Sequence, residues 1–538
     1  MVPIPSPSRH PADFQSWKMA ALRLTLAIAA GLLHGSGWLF PGMWYTVWPA
    51  QAALILLGVL CTPKSAFLHG FVTGAIGIGC SFYWGMAALN TTIDASPLLA
   101  AAIFSALVAW DAVGFGVLAL VASLASRRGV RAMWLVPVAW AALEFWYPRI
   151  FPWMLGYSQL EVPPILQIAE LFGSTAIGFV MTAALTIPAV LVMAYLQTNN
   201  DSQRRMALRF STAAVGLLVA TLIYGGVRQW QWAEWTASQP KLRVALLQVD
   251  TGQVGSGDKL RERSLAIQND VDLICWPESS IGTYCEELEH FRDEQQTLLQ
   301  SRAPRESLQP NKDFSRHLLA GGMLYREGTA EEGPYAMAAL LVNPSCDIIG
   351  RYRKRTLLPF GEYVPGQSYY PEIRSWATLT DLIEAGTDPS PVVTEKGERL
   401  GVLICYEDVF SRNARHTVAH GAEVLFSLVK DSAFSNPLTL IQHHRLSVMR
   451  SVENRRYFAR CSSTGVTCIV APTGQIVSQL PLQTDGTLVG DIVLVRTRSV
   501  YNLIGDVFPW GCTLVMVGWL VSSRMRRRST PTAAPQIR

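Results

Sequence analysis

The sequence predicts a polytopic helical membrane domain, with about eight transmembrane helices, and an α/β domain inserted before the last helix. Half of the 538 residues are hydrophobic and only 16% are charged, a balance typical of membrane proteins. Apolar runs close to the roughly 20 residues that cross a bilayer follow one another as far as residue 230. Between residues 241 and 499 the composition changes to short β-rich runs that alternate with polar helical segments.

Eight apolar runs are candidate membrane spans, seven before residue 230 and one near the C-terminus. The first is not a cleaved signal peptide, because no small-residue cleavage site leads from it into a soluble domain. We expect a transmembrane domain over residues 1–230, an extramembrane domain over 241–499, a last transmembrane helix over 500–523 and a basic cytoplasmic tail over 524–538. The eight runs are residues 17–33, 44–60, 66–89, 98–124, 133–151, 165–196, 210–227 and 503–521.

The positions of lysine and arginine predict the orientation. Short cytoplasmic loops carry an excess of these residues, and here they occupy alternate loops. Both termini are therefore expected in the cytoplasm, and the domain 241–499 on the opposite face, which is the periplasm of a bacterium. Because the basic residues cluster in loops and form no stripe, the net charge of +5 does not indicate nucleic-acid binding. The residues are Lys64, Arg127, Arg128, Arg131, Arg204, Arg205, Arg209, Arg524, Arg526, Arg527 and Arg528.

Apolar runs separated by polar helical segments predict an α/β extramembrane domain whose sheets are covered by helices. Helices are predicted over residues 259–268 and 440–454. Strands are predicted over 242–248, 271–276, 317–322, 336–343, 400–405, 424–428 and 457–463. No His/Cys cluster has metal-ligand spacing, so no metal and no other cofactor is expected.

One predicted strand ends abruptly at Cys405, which is followed by acidic residues. Asp408 could cap a helix over 409–420, which would leave the thiol near a helix N-terminus, where partial positive charge lowers its pKa. This arrangement would prepare a nucleophile. The alternative from this segment alone is a buried structural cysteine.

Two further segments supply chemistry that a thiol nucleophile needs. Glu278 directly follows a predicted strand, in the sequence Trp-Pro-Glu-Ser, and its carboxylate can face a cleft. Lys354 lies in the segment Tyr-Arg-Lys-Arg-Thr-Leu-Leu-Pro-Phe-Gly-Glu-Tyr-Val-Pro, which also carries Glu362. A base, a positive charge for the oxyanion and a thiol are the parts required for acyl transfer through a thioester.

Residues near the predicted outer interface of the membrane are candidates for binding substrate. Arg149 is followed by the segment Phe-Pro-Trp-Met-Leu-Gly-Tyr-Ser-Gln, which contains Trp153 and Tyr157. This mixture of aromatic and polar side chains predicts either an interfacial aromatic belt or the wall of a lipid-binding groove. Asp111 and Glu144 lie in predicted spans, where ionisable residues mark function by default but can also be satisfied between helices.

The three segments around Glu278, Lys354 and Cys405 resemble the Glu-Lys-Cys triad of the nitrilase (carbon-nitrogen hydrolase) superfamily. With the membrane spans and the segment around Trp153, the chain resembles the apolipoprotein N-acyltransferase family, a bacterial membrane-embedded branch of that superfamily. The resemblance covers nearly the whole chain, up to Gly-Asp before the last span. It implies an α-β-β-α sandwich, with Glu278 as general base and later acid, Lys354 stabilising the oxyanion and Cys405 holding the acyl group.

The resemblance also assigns supporting and substrate-binding residues. Glu362, Glu407 and Tyr406 match positions that support the site, the two glutamates by orienting Lys354 and tuning its charge. Glu362 could instead be a solvated turn residue. Trp153, Tyr157 and Glu144 would contact substrate.

The activity that the resemblance implies is a ping-pong acyl transfer in the bacterial inner membrane. The donor would be a membrane phospholipid, typically phosphatidylethanolamine, and the acceptor the N-terminal amine of a diacylglyceryl-cysteine lipoprotein. A monomer that binds no nucleic acid is expected. The alternatives are a membrane-tethered amidase or hydrolase that passes the acyl group to water, and a transporter or lipid-binding protein whose outer domain is catalytically inactive.

Two segments depart from the family pattern. The sequence Lys-Asp-Ser-Ala-Phe at 430–434 lacks a tryptophan usual for the family, and the arm 249–258 lacks an expected aromatic residue. Both departures leave the triad intact and bear on acceptor recognition or arm closure. Periplasmic disulfides could form among Cys275, Cys285, Cys346, Cys461 and Cys468.

Overall fold

The structure is a computed structural model of the chain. It describes residues 11–92, 96–196, 201–285, 315–325, 334–376, 383–432, 434 and 436–528. The N-terminal half is helical. Its helices are α1 (Pro11–Leu39), α2 (Val47–Leu60), α3 (Pro63–Ser81), α4 (Gly85–Thr92), α5 (Pro97–Ser126), α6 (Leu135–Trp146), α7 (Pro163–Leu166), α8 (Ala169–Phe172), α9 (Thr175–Leu185), α10 (Ile187–Leu196) and α11 (Asp201–Ala237).

Within the described residues, four helical segments are long and apolar enough to cross a membrane, and two shorter apolar helices accompany them. The predicted count of eight spans is not reached by this measure. The predicted span 133–151 contains only the 12-residue helix α6, which is about 18 Å long. The four segments are Trp17–Leu39, Pro97–Ser126, Thr175–Leu196 and Asp201–Ala237, and the shorter helices are Trp44–Leu60 and Val507–Ser523.

Helix α3 is long enough to span but rich in glycine, which lowers its hydropathy. The glycines allow close packing against α5: a Cβ atom at Gly70 would lie 2.7 Å from the carbonyl oxygen of Phe115, and one at Gly74 would lie 2.8 Å from Cα of Ala112. Small residues at such contacts let membrane helices approach each other closely. Helix α3 is therefore a packed inner helix of the bundle.

The basic loops identified in the sequence lie at one end of the bundle. The Arg128 side chain donates to Ser523 Oγ at 2.6 Å, near the end of the last helix. The backbone N–H of Val130 donates to Gln203 Oε1 at 3.2 Å, and Ser123 donates to the carbonyl oxygen of Cys61 at 2.8 Å. These contacts bring together the loop before α3, the loop before α6, the start of α11 and the C-terminal end of the chain's last helix.

The C-terminal half contains two mixed sheets. Its helices are α12 (Ser256–Ile267), α13 (Ser411–Ala419), α14 (Pro437–Ser447), α15 (Met449–Asn454), α16 (Val500–Ile504) and α17 (Val507–Arg528). Its strands are β1 (Lys241–Gln248), β2 (Leu273–Cys275), β3 (Thr283–Cys285), β4 (His317–Tyr325), β5 (Tyr335–Val342), β6 (Ile348–Arg353), β7 (Val392–Val393), β8 (Arg399–Ile404), β9 (Val424–Val429), β10 (Phe458–Ser462), β11 (Cys468–Val470), β12 (Ile476–Gln479) and β13 (Gly486–Val493).

The first sheet has the order β13-β1-β2-β4-β5-β6, with β3 paired to β4, and the second has the order β12-β11-β10-β9-β8-β7. Alternate residues of each central strand enter different cores, as the two-residue period of a strand requires. On β8, Val402 and Ile404 join the core between the sheets, whereas Leu403 joins the core beneath the outer helices. The predicted α-β-β-α arrangement of two helix-covered sheets is confirmed, as are the seven predicted strands.

Buried charged side chains fix the extramembrane domain to the helical bundle. Glu170 of α8 accepts from Arg228 of α11 at 2.5 and 3.0 Å and from Arg455 of the outer domain at 2.5 Å.

Helix α11 has 37 residues, about 55 Å, and continues beyond the predicted span 210–227 as far as Ala237. The predicted sixth span, 165–196, is divided, because α7 and α8 precede the membrane-length segment that begins at Thr175.

Three cysteines of the C-terminal half form no disulfide. Cys275, Cys461 and Cys468 are free thiols, and the side chain of Cys285 lies outside the described residues. The Cys461 thiol donates to the carbonyl oxygen of Cys275 at 3.3 Å, within the core between the sheets. The possible disulfides among Cys275, Cys461 and Cys468 are therefore absent, and any pairing of Cys285 lies outside the described residues.

Candidate active site

Cys405 lies at the end of β8, in a turn with a backbone φ of 49°. This left-handed conformation is strained for a residue with a side chain, and such strain is found where surrounding contacts hold it in place. Here the contact is the Glu407 carboxylate, which accepts from the backbone N–H of Ile404 at 2.8 Å. The turn presents the thiol at the strand's carboxyl end.

The same carboxylate binds the segment that carries Lys354. Glu407 accepts from the backbone N–H groups of Arg355 at 2.7 Å and Thr356 at 3.1 Å, and from the Tyr352 hydroxyl at 2.8 Å. Burial raises the pKa of Glu407, and the hydrogen bonds to its ionised form oppose that rise. Glu407 thus fixes the turn of Cys405 to the segment that carries Lys354.

Glu278, Lys354 and Cys405 meet in one buried cluster. Lys354 Nζ lies 3.5 Å from Glu278 Oε1 and 2.5 Å from Glu362 Oε1. The Glu278 carboxylate also accepts from the backbone N–H of Lys430 at 2.9 Å, and its charge raises the pKa of the Cys405 thiol. Glu362, only 8% exposed, accepts from the backbone N–H of Leu358 at 2.8 Å. The alternative that Glu362 is a solvated turn residue is therefore wrong.

The electrostatics of the thiol differ from the sequence prediction. Burial raises the pKa of Cys405 well above its usual value; Glu278 adds to the rise and Lys354 opposes it. Asp408 does not cap a helix, because α13 begins at Ser411 and its N-cap makes no side-chain hydrogen bond. The predicted lowering of the thiol pKa by a helix N-terminus is therefore wrong.

The pKa values of Glu278 and Lys354 favour transfer of the thiol proton from Cys405 to Glu278. Burial raises the pKa of Glu278; Lys354 opposes the rise and Glu362 adds to it. Burial alone would lower the pKa of Lys354, but Glu362, Glu278 and Cys405 together hold it well above its usual value. The lysine therefore stays charged, and a neutral thiol faces a carboxylate whose raised pKa makes it a better base.

An apolar groove of about 420 Å³ leads from the membrane helices towards this cluster. A smaller cavity of about 30 Å³ adjoins Cys405 and Tyr406. The two spaces share five lining residues, namely Phe82, Trp84, Phe151, Leu358 and Phe434. We call the larger space the apolar groove. Its other lining residues include Ile78, Leu89, Phe104, Leu107, Val108, Trp110, Asp111, Arg149 and Trp153.

Trp153, a predicted substrate contact, lines the apolar groove. The Arg149 guanidinium lies 4.4 Å from the centroid of its ring and 3.1 Å from Asp111 Oδ1. Asp111 of α5 is therefore paired with the loop that follows α6, and it also lines the groove. The Tyr406 hydroxyl donates to the carbonyl oxygen of Ile150, so the residue after the nucleophile contacts the groove wall.

Tyr157 and Glu144 are not among the residues that line the groove. The Tyr157 ring is buried, and its hydroxyl accepts from Arg450 at 2.8 Å. Glu144 is also buried and accepts from the backbone N–H of Leu155 at 2.6 Å. We expect both residues to position the turn that follows Trp153, without touching substrate.

Comparison with known proteins identifies the family. Residues 226–502, more than half of the chain, match the carbon-nitrogen hydrolase model. The chain belongs to the carbon-nitrogen hydrolase family. Residues 30–187 match the apolipoprotein N-acyltransferase N-terminal domain, and the resemblance found in the sequence is confirmed.

Relatives of this carbon-nitrogen hydrolase align over most of its length. A protein of Geobacter metallireducens named apolipoprotein N-acyltransferase is 28% identical, covering 90% of this chain and 92% of its own. One of Pseudomonas syringae with the same name is 28% identical, covering 93% and 97%. One of Methylococcus capsulatus, also so named, is 27% identical, covering 94% and 97%.

Sequence reasoning missed a second buried cluster beside Glu278, Lys354 and Cys405. His443 lies 3.0 Å from Asp431 Oδ1 and 3.1 Å from Asp408 Oδ1, through its two ring nitrogens. Arg460 lies 3.1 Å from Asp431 Oδ2 and 3.4 Å from Asp408 Oδ2. The available signal was Arg460 itself, because an arginine within an apolar strand requires carboxylate partners.

No three His, Cys, Asp or Glu side chains are placed to hold a metal ion within the described parts of the chain.

Proposed function

We propose that this protein is an apolipoprotein N-acyltransferase, which transfers an acyl chain from a membrane phospholipid to the N-terminal amine of a diacylglyceryl-cysteine lipoprotein. The observation that carries the proposal is the position of Cys405 beside the apolar groove. The groove is lined by side chains of α3, α4 and α5, so a lipid chain could enter it from the bilayer. A cavity of about 420 Å³ lies within the range of ligand sites. An amidase for small soluble substrates has no need of such a path.

In the first half-reaction, Cys405 Sγ attacks the carbonyl carbon of a phospholipid ester. Glu278 takes the thiol proton, and the Lys354 ammonium stabilises the oxyanion of the tetrahedral intermediate. Collapse breaks the carbonyl carbon–oxygen bond to the glycerol. Glu278 returns the proton to the departing oxygen, so that lysophospholipid leaves and a thioester remains on Cys405.

In the second half-reaction, the α-amine of the lipoprotein attacks the thioester carbonyl. Glu278 accepts a proton from the amine and delivers it to the departing Cys405 sulfur, which restores the thiol as the amide forms. Lys354 again stabilises the oxyanion. The apolar side chains around Cys405 keep water from the thioester, which favours transfer over hydrolysis.

The proposed setting is the bacterial inner membrane, with the catalytic domain in the periplasm and both termini in the cytoplasm. The basic loops support this orientation, because they share one end of the bundle, as the excess of Lys and Arg in cytoplasmic loops requires. Eight spans would include α3 and the short helix α6, both packed within the bundle. A monomer contains all the residues of the proposed mechanism.

The test is the acyl-enzyme itself. Purified protein incubated with phospholipid vesicles should gain the mass of one acyl chain, and hydroxylamine should remove it. A Cys405→Ala protein should gain nothing, whereas a matched Cys512→Ala protein, altered in α17, should react like the native chain. Adding a diacylglyceryl-cysteine peptide should then yield the N-acylated peptide.

Other outcomes would change the assignment. Free fatty acid as the main product, with acceptor present, would indicate a membrane-tethered hydrolase. Bound but unchanged phospholipid, with no adduct on any protein, would indicate a lipid-binding protein with an inactive outer domain.

A further inference from the structure

A polar cavity of about 230 Å³ lies on another side of the active site. Its walls come from the arm after β1, the segment after β9 and the turns after β10 and β12. Phe434 lines this cavity, the apolar groove and the space beside Cys405. A single aromatic side chain therefore separates the polar cavity from the apolar space beside Cys405.

Two contacts link the walls of the polar cavity to Glu278. Thr251, next to Asp250 in the arm, donates to the carbonyl oxygen of Glu278 at 3.4 Å. Lys430, two residues before Ser432, donates its backbone N–H to the Glu278 carboxylate at 2.9 Å. The cavity is thus built from the segments that hold the proposed general base.

Two hydroxyl groups that line the cavity have no hydrogen-bond partner in the described part of the chain. Ser463 is only 2% exposed, and its Oγ is unpaired. Thr464 Oγ1 is likewise buried and unpaired. A buried polar group without a partner is destabilising, so native structures rarely leave such groups without one. Both hydroxyls are available to a bound polar group.

The lining of the polar cavity is acidic. Asp250 accepts from the backbone N–H of Gly252 at 3.0 Å and from the Gln253 side chain at 3.1 Å. Asp485 is paired at 2.8 Å with Lys259, which does not line the cavity. The described lining residues include two carboxylates and neither lysine nor arginine. This environment favours neutral or cationic polar ligands over anionic ones.

We propose that the polar cavity binds the residues that follow the diacylglyceryl-cysteine of the acceptor polypeptide, and that it prefers neutral or basic residues to acidic ones. The inference rests on the proposed function. The attacking amine must reach Glu278 while the acceptor's lipid chains stay in an apolar environment, so its polypeptide needs a separate polar exit. Peptide N–H groups would donate to Asp250, and peptide carbonyl groups would accept from Ser463 and Thr464.

The location also accounts for the two sequence departures. The arm without its aromatic residue supplies Asp250 and Gln253, and the segment without its tryptophan supplies Ser432 and Phe434. These segments face each other across the polar cavity. Both departures therefore bear on the polar cavity, and Phe434 of the second segment also lines the apolar groove.

The test uses fluorescent diacylglyceryl-cysteine peptides that differ only in the next two residues, which are two lysines, two serines or two aspartates. Binding is measured to the Cys405→Ala protein in detergent micelles, so that no turnover is needed. The lysine peptide should bind about fivefold more tightly than the aspartate peptide, the size of one solvated charge pair. Introducing Asp250→Asn into the Cys405→Ala protein should abolish that preference. Introducing Ser463→Ala instead should weaken the binding of all three peptides by a similar factor.

Matched controls separate the cavity from general effects. Asp258→Asn removes an exposed carboxylate of the same region, and Ser478→Ala removes another buried unpaired hydroxyl that does not line the cavity. Both should leave binding unchanged. Equal binding of lysine and aspartate peptides, or a preference that survives Asp250→Asn, would overturn the inference. If no thioester forms on the native chain, the proposed function fails. The relative affinities of the three peptides would still test whether the cavity prefers basic to acidic residues.

Discussion

Two clusters of buried charges lie close to the nucleophile, and they differ in charge balance. The catalytic cluster contains Glu278, Glu362 and the Cys405 thiol around one cation, Lys354. The histidine cluster, consisting of Asp408, Asp431, His443 and Arg460, sets two carboxylates against an arginine and a histidine. The charged side chains of both clusters are buried, and Cys405 is partly exposed, so burial of the charges does not distinguish the clusters.

The difference appears in where protons are held. Burial would lower the pKa of His443, but the carboxylates of Asp408 and Asp431 raise it to about 9. Burial would raise the pKa of Asp431, but Arg460 and His443 bring it well below its usual value. In the catalytic cluster the pKa of Glu278 and that of Cys405 are both raised. In the histidine cluster, equal numbers of acidic and basic groups keep every group charged. In the catalytic cluster, the acidic groups outnumber the one cation, so a proton can pass between Cys405 and Glu278.

The histidine cluster anchors the segments that carry the residues of the catalytic cluster. Asp408 follows Cys405 by three residues and also accepts from Ser427 Oγ at 2.8 Å. Asp431 follows Lys430, whose backbone N–H binds Glu278. His443 lines the small cavity beside the thiol. We infer that the histidine cluster positions the turn of the nucleophile and the support of the base.

The largest expected loss of stability comes from replacing Arg460, the arginine of the histidine cluster. Arg460→Met would leave His443 as the one cation of the cluster beside two buried carboxylates, and breaking a buried pair in this way costs about 3–5 kcal/mol. Thermal unfolding in detergent should show a large loss of stability. Arg496→Met is the matched control, because Arg496 is 82% exposed in its pair with Glu423 and should cost at most about 1 kcal/mol. Similar losses in the two proteins would contradict the structural role of the histidine cluster.

A smaller loss of stability, with a large loss of activity, is expected at the catalytic cluster. Lys354→Met removes its only cation, and loss of one oxyanion donor slows chemistry by about 10²–10³-fold. The protein should unfold at a higher temperature than Arg460→Met, because Glu278, whose pKa is already raised, can take up a proton. The rate of thioester formation is measured by intact mass.

The control for this substitution is Lys396→Met, since Lys396 is 66% exposed and lies 4.0 Å from Asp272. It should form thioester at the native rate. A Lys354→Met protein that reacts within threefold of native would remove the lysine from the proposed chemistry, and one less stable than Arg460→Met would contradict the comparison of the clusters.

The sequence predicted the central strands of the outer domain better than its edges. Strands β8 and β9 are buried on both faces and therefore appear as continuous apolar runs. Strand β12 lies at a sheet edge with mostly exposed side chains, and β13 is half-buried beside β1, so neither has such a run. The division of the third and sixth predicted spans also escaped prediction, because hydropathy does not report where a helix ends.

The members of the site were predictable from their motifs, but their electrostatics were not. Glu278, Lys354 and Cys405 were selected by residue type and local context. The rise in the pKa of Cys405 depends on burial and on Glu278, which lies 127 positions earlier in the chain (405 minus 278). Tyr157 looked like part of the groove because it follows Trp153, yet the turn between them directs it towards Arg450. Such outcomes depend on contacts between distant segments.

The smallest effect, and the most direct test of the charge balance, is a dependence of stability on pH. The pKa of His443 is about 9 in the folded protein and about 6.5 in the unfolded chain. Its contribution is therefore fully present below pH 6.5 and is lost as the pH rises through 9, with a slope of at most about 1.4 kcal/mol per pH unit. Denaturant unfolding at several pH values between 6.5 and 9 should show this decline.

His443→Gln should remove the decline while lowering stability at pH 6.5. His444 provides the matched comparison, because burial lowers its pKa to about 3, and its contribution changes only below pH 6.5. His444→Gln should therefore keep the slope between pH 6.5 and 9. If both substitutions left the slope unchanged, His443 would not carry the fixed positive charge that balances Asp408 and Asp431, and the contrast between the two clusters would have to rest on Arg460 alone.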